Sequence, residues 1–407
     1  MRRWLIGIFL LLLVLAIGWG AFGWNVYSRN RVPPIQLPAI ASPPASNVYP
    51  QLLQLTKQVQ ETALLLEMES QPDMGSYEQK NRVVQANREV LHQLRQLADA
   101  PSQVTHLGAQ VDDPAMENYQ NVARLAVAHA RLLDQSGQSE RALDAYLDGL
   151  AYAEQAMRGG NTLHLTFNFM SSVIIFQHMP TLIPKLSAQD ASRGAQRLKK
   201  LLEREYPLHE LFTQEFREQL TGWERSIKGM AVRGFRLDLP KSPVESAMLY
   251  RPKAPIIQAA LQYANQCIEN AKLPYPKQSV IPLPPVLESL PEGMRVVRTP
   301  EEIALHAARY FYVRTRLRLV YTALRLEAFR KTTGRYPARL SELGDSPYFT
   351  DPFSGEPFVY RPLGNAYVLY SVGPNGIDDG GTPFPEGRLH RGQPGDIGLV
   401  PNFPRTP

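Results

Sequence analysis

Residues 358–376 read FVYRPLGNAYVLYSVGPNG, and aromatic and aliphatic side chains alternate in the two apolar segments of this stretch. Alternation with a period of two is typical of a half-buried β-strand, so we predict strands over 358–361 and 366–371. Pro362-Leu-Gly-Asn365 lies between them and supplies residue types that tight turns favour. The segment therefore predicts an antiparallel hairpin near the end of the chain.

A long helix is predicted before this hairpin. It opens at Pro300-Glu-Glu and ends at Thr333-Gly334. Its buried face is marked by apolar residues at steps of three or four. They are Tyr310, Val313, Leu317, Val320, Leu324 and Ala328. Six arginines follow the same helix, and we expect them to be solvated and partly paired with acids, because no aromatic stacking platform for nucleic acid accompanies them. They are Arg309, Arg314, Arg316, Arg318, Arg325 and Arg330.

The chain after the hairpin is rich in glycine and aspartate. It runs VGPNGIDDGG over 372–381 and ends near GDIG at 395–398. Calcium prefers six to eight hard oxygen ligands, and glycines let a short loop turn its carbonyls inward. The alternative is an ordinary turn at Asn375-Gly376 with a solvated tip at Asp378-Asp379. Both interpretations are compatible with the residues alone.

Taken in order, the long helix, Gly-Arg-Tyr-Pro at 334–337, Asp-Pro-Phe at 351–353, the hairpin and the acidic loop resemble the globular domain of the type II secretion major pseudopilins. The resemblance covers about residues 315–400. It implies a small α+β module and a calcium site in the loop. The calcium ligands that it implies are the Val372 carbonyl and the side chains of Asn375, Asp378, Asp379 and Asp396.

Two departures separate this chain from that family. The family usually has aspartate where Asn375 lies, although Asp379 is an additional acid that compensates. The sequence also lacks the pseudopilin leader, and some 300 residues separate its apolar N-terminus from the C-terminal module. We therefore do not expect it to assemble into a pseudopilus as an ordinary subunit.

The N-terminus is typical of a membrane anchor. No charged residue occurs from Trp4 to Trp24, and 21 residues in a helix span about 30 Å, the thickness of the hydrocarbon core. A cleavable signal peptide is the alternative, with a small-x-small site at 21–23, but the apolar run exceeds the usual length. Arg2, Arg3 and the amino terminus slightly outnumber Arg29 and Arg31, which favours an N-terminus inside the cytoplasm. We predict a single-pass protein of the bacterial inner membrane, held through residues 4–24, with the bulk of the chain periplasmic.

The fold class predicted for the whole chain is mainly α with a C-terminal α+β module. The predicted divisions are a transmembrane anchor over 1–25, a proline-rich linker over 26–50, a helical domain over 51–237, an irregular proline-rich connector over 238–300 and the module over 301–407. Residues 119–157 predict a helical hairpin that resembles one tetratricopeptide repeat, with an ordinary hairpin as the alternative. The apolar segment 161–186 is predicted to be a buried core helix, because polar residues and prolines interrupt it.

Composition and motifs exclude several classes of site. The 407 residues include a single cysteine, Cys267, so an intramolecular disulfide framework is excluded. The net charge of +6 is scattered, and we expect no nucleic-acid partner. The sequence contains no His-Glu-x-x-His, Gly-x-Ser-x-Gly or phosphate-loop motif, and its eight histidines are dispersed. We predict no catalytic residue, no cofactor besides calcium, and no enzymatic activity.

The function predicted from these features is that of a membrane-anchored, non-enzymatic envelope protein. Its role would be structural or adaptor-like, beside type II secretion or pilus-like machinery, with a protein partner that the sequence does not identify. One alternative is a helical, tetratricopeptide-like module that recognises a protein. A second alternative is an uncharacterised hydrolase without a familiar motif.

Overall fold

The computed structural model describes residues 2–29, 31–105, 113–235, 251–290, 296–385 and 389–399, and it is mainly helical. The helices are α1 Arg2–Arg29, α2 Tyr49–Gln58, α3 Thr62–Glu69, α4 Tyr77–Ala86, α5 Arg88–Leu97, α6 Asp113–Gln135, α7 Ser139–Met157, α8 Thr162–His178, α9 Ala188–Glu203, α10 Leu208–Phe235, α11 Ala254–Ala271, α12 Pro285–Glu288 and α13 Pro300–Thr333. The strands are β1 Val359–Leu363, β2 Ala366–Ser371 and β3 Ile397–Gly398. The prediction of a mainly α chain with a small antiparallel sheet is confirmed at this level.

The chain divides into two compact units. The first comprises Met1–Ala39, Glu215–Ile268 and Ile281–Pro300, and the second comprises Ile40–Gln214, Glu269–Val280 and Glu301–Pro407. Compactness does not decide which segments fold independently, so the predicted boundaries at 50, 237 and 300 stay a prediction. We refer to the first as the membrane-proximal unit, because it contains the predicted anchor α1, and to the second as the main unit.

Three helices of the main unit, α6, α7 and α8, pack closely around Gly149. A Cβ atom at Gly149 would lie 2.9 Å from Cδ1 of Ile175 and 3.0 Å from Cβ of Ala126, so a side chain there would push the helices apart. Gly137, with a φ of 74°, makes the turn between α6 and α7. The predicted helical hairpin over 119–157 and the buried helix after it are both present.

The long helix α13 is part of the same hydrophobic core as the helices before it. One continuous cluster of buried residues includes Leu52 and Leu143 of the earlier helices, Leu324 of α13 and Ile397 of β3. Five residues of the predicted stripe belong to this cluster, and Tyr310 is buried outside it. The C-terminal α+β part and the helical part of the main unit therefore share one core.

The expectation that the α13 arginines are solvated is wrong for Arg314 and Arg316, which are 1% and 3% exposed. Arg314 pairs with the buried carboxylate of Glu154. Arg316 donates to the backbone carbonyls of Phe176, at 2.8 Å, and Leu399, at 3.1 Å. Partners that lie far away in the sequence thus offset the burial of these charges. The satisfaction is incomplete, because Nε and Nη1 of Arg314 and Nε of Arg316 have no hydrogen-bond partner among the described residues.

The predicted hairpin is present, and its register places the loop that follows it. Val359 pairs with Tyr370, and Leu363 pairs with Ala366. Strand β3 adds to the other side of β2, with Ser371 opposite Ile397. The end of β2 and the start of β3 are therefore adjacent, and the acidic loop closes between them.

Helix α1 belongs to the membrane-proximal unit. Its segment Ile6–Arg29, 24 residues, is long and apolar enough to cross a membrane, and most of its side chains are exposed. Val26, near its C-terminal end, is 1% exposed. The helix is compatible with the predicted anchor, and a signal sequence would have the same features.

The irregular connector expected over 238–300 is wrong for residues 254–271, which form α11. Its buried residues recur at helical spacing. They are Ile256, Ile257, Ala260, Tyr263, Ala264, Cys267, Ile268 and Ala271. Pro255 lies in the first turn of α11, where a missing N–H costs no helical hydrogen bond. Pro255 therefore marks the start of a helix within the proline-rich segment.

Candidate metal centre

The predicted ligands lie in the loop between β2 and β3, and Asp396 is fixed at its closing end. The Asp396 N–H donates to the Thr382 carbonyl at 2.7 Å, and the Asp396 carbonyl accepts from the Phe384 N–H at 2.9 Å. Pro383 and Asp396 form an isolated parallel bridge. This pairing holds the two ends of the loop side by side.

The carboxylate of Asp396 points into the loop and is bound by backbone donors. Its residue is 1% exposed, and its oxygens accept from the N–H of Gly381 at 2.7 Å and of Asp379 at 3.3 Å. Two N–H donors satisfy a buried carboxylate that has no solvent. Asp396 is thus the centre around which the loop folds.

Asp379 and Asn375 form a second layer of the loop. The Asp379 carboxylate accepts from the Gly395 N–H at 2.7 Å and from Nδ2 of Asn375 at 2.9 Å. Oδ1 of Asn375 accepts from the Ile377 N–H at 3.1 Å, as in an Asx turn. The turn alternative at Asn375-Gly376 is therefore partly realised, with the amide oxygen used locally.

Asp378 lies on the other side, where it meets β2. Its Oδ1 accepts from the Tyr370 hydroxyl and from the Gly380 N–H, both at 2.9 Å. Tyr370 is buried, so this bond connects the loop to the sheet. Asp378 is exposed, as the solvated-tip alternative predicts, but these two bonds hold its carboxylate, and Asp379 is half-buried in the same loop.

Two glycines permit this close folding. Gly373 has a φ of 69°, and a Cβ atom there would overlap the Gly395 carbonyl oxygen. Gly395 has a φ of 119°, and its Cβ would lie 2.7 Å from Cα of Phe384. A side chain at either position would push apart the backbone segments that meet in the loop.

Val372 is held by Asp351, which the sequence interpretation placed only in a turn. One oxygen of Asp351 accepts from the Val372 N–H at 3.0 Å. The other accepts from the Phe353 N–H at 2.9 Å and the Ser371 hydroxyl at 2.8 Å. Asp351 is 1% exposed, so it joins the Asp-Pro-Phe turn to the start of the acidic loop. Its signal in the sequence was the Asp-Pro pair, which gives no information about the distant partner.

The electrostatic state of Asp396 shows that the carboxylates act on one another. The pKa of Asp396 is raised to about 6. Burial is the largest cause, and the negative charges of Asp378 and Asp379 add to it, whereas the backbone hydrogen bonds act in the opposite direction. Like charges held together in a partly buried loop disfavour ionisation. A divalent cation would remove this repulsion.

The donor set fits calcium in chemical type. Carboxylate, amide and backbone carbonyl oxygens are its usual protein ligands. Within the described ranges, no group of three or more His, Cys, Asp or Glu side chains is arranged around one point for a metal. The present side chains are turned toward backbone N–H groups, so calcium would have to share or replace these hydrogen bonds. A carboxylate has about four lone-pair sites, and those that accept one hydrogen bond retain others.

The other titratable groups with large shifts lie in structural contacts. Burial is the main cause that lowers the pKa of His129, His164 and His178 to about 4, so these imidazoles are neutral near pH 7. Nδ1 of His164 is 2.9 Å from Oδ1 of Asn161, the residue that caps α8.

Comparison of the chain with family models, with curated proteins and with solved structures finds no match.

Proposed function

We propose that this protein is a membrane-anchored structural or adaptor protein whose C-terminal α+β part is stabilised by calcium. In this proposal α1 is an uncleaved anchor in a bacterial inner membrane, and the bulk of the chain is periplasmic. The proposed position beside a secretion or pilus-like machine depends on the motif resemblance of residues 315–400.

One observation carries the calcium proposal: hydrogen bonds gather the carboxylates of Asp378, Asp379 and Asp396 in one glycine-rich loop. Bound calcium would supply two positive charges at this loop. The residues that would hold it are Asp378, Asp379, Asp396, Asn375 through its amide oxygen and Val372 through its carbonyl. Since the loop joins β2 to β3, an ion there would stabilise the sheet and the closure of the C-terminal segment.

The shared core supports a structural role for the module. Arg316 and Arg318 of α13 donate to the carbonyls of Leu399, at 3.1 Å, and Thr350, at 3.1 Å, and Arg325 donates to that of Leu343. Three arginines of one helix thus form hydrogen bonds with the backbone of three different parts of the C-terminal segment. Stabilising the acidic loop would therefore stabilise the main unit as a whole.

The test is thermal unfolding of the full-length protein in detergent, with calcium and then with chelator. Calcium at about 100 times its dissociation constant adds about 2.7 kcal/mol to the stability of the unit that binds it. We expect the melting temperature to rise with calcium and not with the same concentration of magnesium, because magnesium dehydrates reluctantly. Asp378→Asn and Asp379→Asn should abolish the rise.

Glu356→Gln is the matched control, since Glu356 is an exposed carboxylate of the same C-terminal part. It should keep the full calcium response. Identical melting in calcium and chelator, or a response that survives Asp378→Asn and Asp379→Asn together, contradicts the proposal.

A cavity in the main unit favours a second candidate, recognition of a partner by the helical part. It has a volume of about 710 Å³ and lies where the C-terminal ends of α5, α7 and α9 meet the start of α10. Ala100 lines it, together with Arg158 and Tyr206. If this cavity binds the partner, Ala100→Trp should prevent partner capture by the tagged full chain, and Asp378→Asn should not. The opposite pattern assigns the interaction to the acidic loop.

A further inference from the structure

The positive charge of the chain is concentrated in the membrane-proximal unit. Its three segments contain 14 Lys and Arg against 7 Asp and Glu, whereas the main unit contains 30 against 31. Between Glu224 and Glu269 the sequence has seven basic and two acidic residues. The unit that carries the apolar α1 is therefore also the basic one, and a basic surface next to a membrane helix fits an anionic partner.

Part of this charge is gathered at the C-terminal end of α1. The backbone carbonyl of Arg29 accepts a hydrogen bond from the Lys253 N–H at 2.9 Å, so residues 251–253 lie against the end of the helix. Arg29 and Arg31 are exposed there, and Arg251 is half-buried. We call Arg29, Arg31, Arg251 and Lys253 the basic collar.

The anchor helix fixes the depth of the basic collar in a membrane. The 24 residues of Ile6–Arg29 extend about 36 Å as a helix, somewhat more than the hydrocarbon core of about 30 Å. Trp24 and Tyr27 are 67% and 46% exposed near its end, where aromatic side chains favour the interface. Arg29 and the residues bonded to it consequently lie at the level of the lipid phosphates.

The collar also holds one cation, the Lys253 ammonium, away from water. The Lys253 side chain is buried and its Nζ donates to the Arg251 carbonyl at 2.6 Å. Burial, and then the positive charge of Arg251, lower the pKa of Lys253 to about 8. An anion at this position would relieve the repulsion and favour the charged ammonium group.

We propose that the basic collar binds the phosphate head groups of anionic phospholipids. This inference rests on the proposed anchoring by α1. The exposed Arg31 guanidinium donates paired hydrogen bonds to phosphate oxygens. Arg251, whose Nη2 donates to the Ser289 hydroxyl at 2.7 Å, contributes its remaining donors, and the Lys253 ammonium adds charge behind them. The collar then selects phosphatidylglycerol-like lipids over zwitterionic lipids around the end of the anchor.

The test uses the full-length protein in bilayers that mix phosphatidylglycerol with brominated phosphatidylcholine. Bromine quenches tryptophan fluorescence on contact, so with Trp4 and Trp223 replaced by Phe the emission of Trp19 and Trp24 reports which lipid is adjacent to this end of α1. We expect phosphatidylglycerol to be favoured about threefold or more per site, and the preference to fall in 1 M salt. Arg31→Gln with Arg251→Gln should bring the ratio close to one.

The control is Arg88→Gln with Arg361→Gln, because both are exposed arginines of the main unit. This pair should leave the ratio unchanged, and a melting curve checks that each variant is folded. A ratio of one in the unmodified protein, an unchanged ratio in the collar variant, or an equal loss in the control pair overturns the proposal. Inorganic phosphate added at constant ionic strength should not abolish the preference for phosphatidylglycerol. Complete loss of the preference identifies a site for free phosphate and overturns the proposal too.

An alkaline carbonate wash separates this inference from the proposed anchoring. A chain released to the supernatant contradicts the anchor itself. A chain that stays in the membrane without a lipid preference contradicts only the collar.

Discussion

The buried pair Glu154 and Arg314 permits a quantitative prediction. Arg314, on α13, is 1% exposed, and the side chain of Glu154, on α7, is 6% exposed. Oε1 of Glu154 also accepts from Nδ2 of Asn168 at 2.8 Å, and the Arg314 guanidinium lies 5.3 Å from the centre of the Tyr310 ring. Burial disfavours the charge of Arg314, but the carboxylate of Glu154 raises the arginine pKa above its usual value. The two charges therefore depend on each other.

Removing only the cation should be costly. At an effective dielectric constant of about 20, unit charges 4 Å apart attract by about 4 kcal/mol, and loss of one partner of a buried pair typically costs about 3–5 kcal/mol. We expect Arg314→Met to lose about 4 kcal/mol of unfolding free energy. For the 294 residues of the main unit, an unfolding entropy of about 2.1 cal/mol/K per residue converts this loss into a fall of about 6–7 °C in melting temperature.

Removing both charges should be much less costly. Nε and Nη1 of Arg314 are buried without a hydrogen-bond partner, so the pair is incompletely satisfied and its replacement loses little. Glu154→Gln with Arg314→Met keeps an acceptor for Asn168 and should recover more than half of the loss. Urea unfolding of the full-length protein, followed by circular dichroism, measures both variants. A single variant within 1 kcal/mol of the original, or a double variant no more stable than the single one, refutes the reasoning.

Three further predictions concern the loop and the helical part. Asp351→Asn replaces an acceptor by a donor that faces the Val372 N–H or the Ser371 hydroxyl. It should lower the unfolding free energy, measured in urea, by about 2–3 kcal/mol. The control Asp345→Asn, at an exposed position, should change this free energy by less than about 0.5 kcal/mol. Gly373→Ala should abolish the calcium-dependent melting shift, because its Cβ meets the rigid Gly395 carbonyl; an intact shift contradicts the loop geometry. His164 has a pKa lowered by burial, so the unfolded chain takes up the proton first: its stabilising contribution is complete above pH 6.5 and is lost as the pH falls toward 4. His164→Gln, whose side chain can still cap α8, should reduce that dependence by up to about 1.4 kcal/mol per pH unit, and equal slopes with and without His164 contradict it.

Local patterns predicted the elements of this fold better than they predicted the contacts between them. The stripe from Tyr310 to Ala328 correctly indicated α13, and the turn residues at 362–365 correctly indicated the hairpin. The burial of Arg314 depends on Glu154, which is 160 residues away in the sequence. The burial of Arg316 depends on the carbonyls of Phe176 and Leu399, which are 140 and 83 residues away. No short-range pattern contains that information.

The acidic loop shows the same limit within a single site. Its aspartates and glycines were recognisable, because glycine and carboxylate residues recur within ten positions. The role of Asp351 was not, because it depends on a backbone N–H at Val372 that approaches only when β2 has formed. The calcium ligands themselves stay a prediction.

The shared core of the main unit has a consequence for synthesis. Leu143 on α7 and Leu324 on α13 belong to one cluster, and α13 ends 130 residues after α9. At about 5–20 residues per second, the ribosome needs between about 6 and 26 seconds to make this interval. During that time the faces of α7 and α9 that α13 covers stay exposed, and Glu154 lacks its counter-ion. A chain whose last quarter has not been made therefore exposes apolar surface that the complete main unit buries, which makes this interval the one most prone to aggregation.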